Sequence, residues 1–83
     1  MKMDYYSDKI EQSISGAKAT VTGDGSKFEA EVIADEFEGL APLKRHKLVY
    51  AALDEYIKSG AIHALTIRAF TSGEWQEKQH TTS

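Results

Sequence analysis

The side chains with chemistry to offer in this sequence are three histidines, a short cationic run and scattered carboxylates. His46 stands within Lys44-Arg45-His46-Lys47, His63 lies between Ile62 and Ala64, and His80 falls near the C-terminal end. An imidazole can ligate a metal or move a proton near neutral pH. Neither task is completed here by a recognisable set of companions. Gly23-Asp24-Gly25 is not followed by the helix start and Lys-Ser/Thr that would cradle a phosphate, and no serine sits in a nucleophile elbow. There is no cysteine, which rules out disulfides, thiolate zinc sites, self-contained iron–sulfur ligation and thiol nucleophiles within the chain. Any metal chemistry must use His or carboxylates, or borrow thiolates from a partner.

Each candidate also has a plain structural reading. The acids Glu29 and Glu31, with Asp35, Glu36 and Glu38, could supply acid and base, but same-side carboxylates on an edge strand more often form a solvated face that discourages aggregation. His46 falls on the apolar stripe of a helix and reads as a half-buried packing residue. His63 stands where a helix has ended and a strand begins, a place that can present an imidazole to a partner; a structural hydrogen bond is the other reading. His80 reads as part of a polar tail. Lys44, Arg45 and Lys47 spread over about 300° of helix arc at 100° per residue, too wide to face one groove together.

The elements that must position these groups follow from hydropathy. Tyr6, Ile10 and Ile14 recur every fourth residue and predict an amphipathic first helix, with Asp4 or Ser7 as its cap and Gly16 as its stop. Ala17, Ala19 and Val21 then alternate with polar residues along a strand, and Phe28, Ala30, Val32 and Ala34 along a second. Gly23-Asp24-Gly25 between them supplies the positive φ of a tight antiparallel hairpin. Asp35 to Ala41 reads as an irregular connection with one helical turn. Pro42 opens the longest helix, whose stripe is Leu43, His46, Val49, Tyr50, Leu53 and Ile57 and which closes at Ser59-Gly60. Ile62 to Phe70 is expected as a third strand buried on much of both faces, parallel to the second through a right-handed crossover. Trp75 belongs to a short helical piece after Ser72, and residues 79–83 are expected to fray.

The fold class is therefore α+β: one two-layer domain over residues 1–83, in αββαβ(α) order, with a three-stranded mixed sheet. At 83 residues, with 41% hydrophobic and 28% charged residues, only one compact core fits, and a deep active site is not expected. Residues 1–40 hold four Lys against nine Asp/Glu, and residues 41–83 six Lys/Arg against four, so halves of −5 and +2 sum to the net −3. Such a dipole can orient a protein partner but lacks the strong basicity of a dedicated nucleic-acid binder. No apolar run reaches 18 residues and no signal-like segment opens the chain, so a cytoplasmic location without membrane contact is expected.

Phe37-Glu38-Gly39, then Arg45-His46-Lys47-Leu48-Val49-Tyr50-Ala51-Ala52-Leu53, then Ile62-His63-Ala64-Leu65-Thr66-Ile67-Arg68-Ala69-Phe70-Thr71 and finally Glu74-Trp75 together resemble the BolA-like family along nearly the whole chain. The resemblance implies a fold similar to the class II KH arrangement. It also implies a non-enzymatic partner of monothiol glutaredoxins that shares a [2Fe-2S] cluster with glutaredoxin and glutathione, carries no cofactor when free, and is then a monomer or weak homodimer. The histidine of the Ile-His-Ala motif is the family's cluster ligand, which is His63 here. Members usually offer a second His or Cys in the loop between the first two strands. Here that loop reads Gly23-Asp24-Gly25-Ser26-Lys27-Phe28, and lysine, protonated at neutral pH, is a poor iron ligand. Asp24 or another group substitutes, or His63 serves alone, or the cluster-free complex is the main form. Lys27 and His46 are expected on the partner-facing surface. The family's other association, with stress response and cell morphology, implies a DNA-binding transcriptional regulator as the competing reading, with Lys44, Arg45, Lys47 and Arg68 as its contacts. The Gly-x-x-Gly backbone clamp of KH domains is incomplete, with only Gly39 present and acids around it.

Overall fold

Ile10 and Ile14, four residues apart, are driven into a common core; Ile10 lies in the first helix, Asp4–Ser13 (α1), and Ile14 directly follows its last residue. The structure, a computed structural model, describes residues 4–24 and 27–81. Gly16 ends the first helical segment with φ +73°, a value strained for any residue bearing a Cβ. Ser7 does not cap α1. It lies inside the helix, buried, and its Oγ accepts a 3.2 Å hydrogen bond from the Val21 N–H, while the Glu11 carboxylate accepts one of 3.0 Å from the Ala19 N–H.

Those two amides belong to β1 (Lys18–Asp24), which pairs antiparallel with β2 (Lys27–Ile33) from Lys18 opposite Ile33 to Asp24 opposite Lys27. Gly25, the last residue of the expected Gly23-Asp24-Gly25 turn, and Ser26 lie outside the described residues. Gly23 is in β1 and lacks positive φ; it is needed for space, since a Cβ there would come within 2.5 Å of Phe28 Cε1. A 3-10 turn at Asp35–Phe37 buries Phe37 completely. Helix α2 (Pro42–Ala52) begins on its proline, as the missing N–H allows. The crossover then returns to β3 (Ala64–Phe70), which runs parallel to β2 with Lys27 opposite Ala64 and Ile33 opposite Phe70. The sheet order is β1-β2-β3. Val21, Phe28, Ala30, Val32 and Ile67 on one face of the sheet form the core with Ile10, Ile14, Val49 and Leu53 from the helical layer. Thr20, Thr22, Asp24, Lys27 and Glu29 remain exposed on the other face.

Five sequence expectations are corrected here. The long helix is two: α2 stops at Ala52, Leu53 takes φ −112° and ψ 12°, and α3 resumes over Asp54–Lys58. Its stripe is also rotated, because Leu43 is 66% exposed and Tyr50 43% while Arg45 is buried. The third strand starts at Ala64 and is an edge strand with one covered face, and β2 with Glu29 and Glu31 is central. The last helix, α4, is ten residues long (Ser72–Thr81) and continues into the segment expected to fray. Asp54 and Lys58, one turn apart, form an exposed ion pair at 3.0 Å.

Candidate functional site

One end of the sheet gathers the residues singled out as ligands. Asp24 ends β1, Lys27 starts β2 opposite it, and Ala64 starts β3 opposite Lys27, so His63 enters the sheet beside the hairpin end. Its presentation is enforced locally. Gly60 closes α3 with φ +86°, the Ile62 N–H donates to the Tyr56 carbonyl at 3.1 Å, and Ile62 is buried, which leaves the next side chain, His63, exposed. A shallow depression of about 410 Å³ at this end is walled by Thr22, Gly23, Asp24, Lys27, Phe28, Glu29 and Thr66. His63 stands outside those walls. No group of three or more His, Cys, Asp or Glu placed to hold a metal ion occurs among the described residues.

An aromatic buttress that hydropathy did not reveal supports the same end. Tyr6 packs edge-on against both Phe28 (5.6 Å between ring centroids) and Tyr56 (5.1 Å), and Tyr5 against Tyr56 at 5.5 Å. The Tyr5 and Tyr56 hydroxyls share a 2.6 Å hydrogen bond. That bond, with partial burial, pushes the Tyr56 hydroxyl up to about 12. The buttress ties α1 to α3, and so to the turn that delivers His63.

The proposed nucleic-acid contacts divide. Lys44 and Lys47 are exposed, and His46 is half-buried beside them. Arg45 is removed from that surface: its Nε donates to the Leu40 carbonyl at 2.8 Å, Nη1 to the Ala69 carbonyl at 3.2 Å, and both Nη atoms to the Glu74 carboxylate at 2.6 and 3.1 Å. Satisfying this fork requires the inward face of α2, which Arg45 shares with Val49 while Leu43 and Tyr50 turn outward. Arg68 lies on the sheet face opposite the helices, 3.9 Å from Glu31. The side chain of His80 lies outside the described residues.

Glu74 also closes a capping box on α4. Its N–H donates to Thr71 Oγ1 at 3.2 Å and its carboxylate accepts from the Thr71 N–H at 3.0 Å. The Thr-x-x-Glu spacing was visible in the sequence; its Arg45 partner was not. Hydrogen bonds from Arg45, then from the Thr71 amide, lower the Glu74 carboxyl to about 2 from an ordinary 4.5. A lowered folded-state value means that the unfolded chain binds the proton first, so this stabilisation is complete above about pH 4.5 and is lost as pH falls toward about 2. A Glu74→Gln variant should therefore show a flatter melting temperature across that window, measured by circular dichroism in parallel with wild type.

The family model described as BolA-like protein matches residues 7–74, from α1 through the Glu74 cap. The chain belongs to the BolA-like family. A protein of Acinetobacter guillouiae described as an uncharacterized protein in the rpoN-murA intergenic region is 36% identical over 77 residues, covering 93% of both chains. The acid stress protein IbaG of Escherichia coli K12 is 38% identical over 63 residues, covering 76% of this chain and 75% of its own. Among solved structures, a BolA protein homologue from Coxiella burnetii superposes with a TM-score of 0.80 at 36% identity, covering 92% of this chain and 97% of that one. Against the cattle and human relatives named BolA-like protein 1, the chain spans less than half their length, 46% and 45%. The α+β BolA-like fold with its three-stranded mixed sheet is thus shared, and no helix among the described residues is long and apolar enough to cross a membrane.

Proposed function

We propose that this BolA-like chain is a non-enzymatic partner of a monothiol glutaredoxin, docking it in the cytoplasm and lending one imidazole to a [2Fe-2S] cluster whose thiolates come from the glutaredoxin and glutathione. The observation that carries the reading is the exposed His63, held by Ile62 and Gly60 at the sheet end where the hairpin also terminates. In a chain without cysteine, this is a donor that a partner's cluster can reach without unfolding anything. When bound, such a cluster supplies a redox-active centre whose potential rises as imidazole replaces thiolate. The protein's part is to aim the ring and, through the aromatic buttress, to keep the delivering turn from moving.

Mixing the protein with a cluster-loaded glutaredoxin and following visible absorbance and circular dichroism tests the assignment. The wild-type mixture should develop a spectrum that His63→Ala does not, while the alanine variant still binds the cluster-free glutaredoxin. Coincident spectra would remove His63 as the ligand. The loop makes its own prediction: Lys27→His, which restores a neutral donor one position before Phe28, should raise resistance of the shared cluster to a competing chelator severalfold.

The nucleic-acid reading is the weaker one, since Arg45 is committed to Glu74 and three separated cations give only weak, salt-sensitive affinity.

A further inference from the structure

The two edges of the sheet are finished differently. On β1 the outward amides of Ala19 and Val21 are occupied by Glu11 and Ser7 of α1. On β3 the direction of each peptide group is fixed by two hydrogen bonds: the Phe70 carbonyl accepts from Ala34 N–H on the β2 side, at 2.9 Å, and the Ala69 carbonyl accepts from Arg45, at 3.2 Å. Peptide groups alternate along a strand, so Leu65 and Ile67 point their N–H and C=O groups away from β2, as Ala69 does. Arg45 occupies the Ala69 carbonyl only. The outward groups of Leu65 and Ile67 have no hydrogen-bond partner among the described residues. An edge with a free donor and acceptor on alternate residues is a template for an added strand, and proteins usually blunt such edges, as β1 is blunted here.

We propose that the Leu65–Ile67 edge of β3 is a docking surface for an extended segment of a protein partner, added as a fourth strand with alternating apolar and acidic residues. The alternation follows from the flanks. Side chains of the added strand on the helix-covered face would lie beside Leu65 and Ile67, which are partly or fully buried there. Those on the opposite face would lie beside Arg68, whose distant 3.9 Å pairing with Glu31 leaves guanidinium donors available to a carboxylate. Backbone bonds would give the affinity and the Arg68 contact the preference for acidic sequences. The proposal stands independently of any cluster ligation by His63.

The probe is a seven-residue peptide of alternating valine and glutamate with blocked ends, titrated into the isotope-labelled protein and followed by amide chemical shifts and hydrogen exchange. Exchange at the Leu65 and Ile67 amides should slow at least tenfold at saturation. The same peptide N-methylated on alternate residues should give no protection, and Arg68→Ala should weaken binding severalfold. Leu65→Pro removes an outward N–H without removing a ladder bond and should abolish binding in a protein whose circular dichroism is unchanged; if that variant does not fold, the N-methylated peptide decides. Equal binding of the N-methylated peptide, perturbations at another surface, or no protection at millimolar peptide would overturn the proposal. So would protection that grows with protein concentration alone, which would assign the edge to a second copy of the chain.

Discussion

Replacing Arg45 with methionine should lower the stability of the domain by about 3 kcal/mol, near the low end of the cost of removing one partner from a buried ion pair. The guanidinium spans three separately coded pieces of the fold: the Leu40 carbonyl before α2, the Ala69 carbonyl near the end of β3, and Glu74 in the first turn of α4. Methionine matches the stem but leaves the Leu40 and Ala69 carbonyls without this donor. Glu74, 46% exposed, can recover water, which keeps the loss below the upper end of the range. For a domain of this size, 3 kcal/mol corresponds to a fall of roughly 15 °C in melting temperature. Arg45→Lys should recover only part of it, because a point charge cannot serve a bidentate carboxylate and two carbonyls together. Thermal denaturation of the three proteins checks this, and a methionine variant within about 1 kcal/mol of wild type would show that the fork adds little.

Phe37→Ala should cost about 4 kcal/mol, the range for emptying a phenylalanine site in a core that cannot collapse. The ring is fully buried although it sits in a three-residue 3-10 turn, and the Arg45 guanidinium lies 5.8 Å above its centroid. Losing it removes the floor of the cation as well as apolar contacts, so the two substitutions should not be additive. A double variant measured by chemical denaturation should be less destabilised than the sum of the singles. A sum that closes would mean that the ring and the cation act separately.

How far these features were legible depends on what encodes them. The alternations Ala19, Val21 and Phe28, Ala30, Val32 gave β1 and β2 correctly, because a strand with one covered face writes its burial directly into the sequence. The α2 face was misread for the opposite reason: a residue that looks like surface charge, Arg45, owns the inward position, and the acid that makes its burial tolerable lies 29 residues away. Hydropathy has no symbol for a cation whose partner is distant. β3 looked doubly buried because its composition is apolar, whereas edge or centre is decided by strand order. At the site, the motif around His63 was visible, and the structure adds what delivers it, Tyr56 and Gly60. Tyr5 and Tyr6 read as an ordinary helix start, since nothing local announces that they will meet Tyr56.

The register that sets His63 beside the hairpin end also has a temporal meaning. Lys27 and Ala64, the first pair of the parallel ladder, are 37 residues apart (64 less 27), whereas the hairpin closes across a turn. Closing the longer loop costs more chain entropy, and parallel pairing across a crossover is slow to form. The neighbourhood of His63 is therefore completed later than the hairpin, once the parallel ladder has closed. A nascent or partly unfolded chain holds the histidine but not the sheet end that presents it.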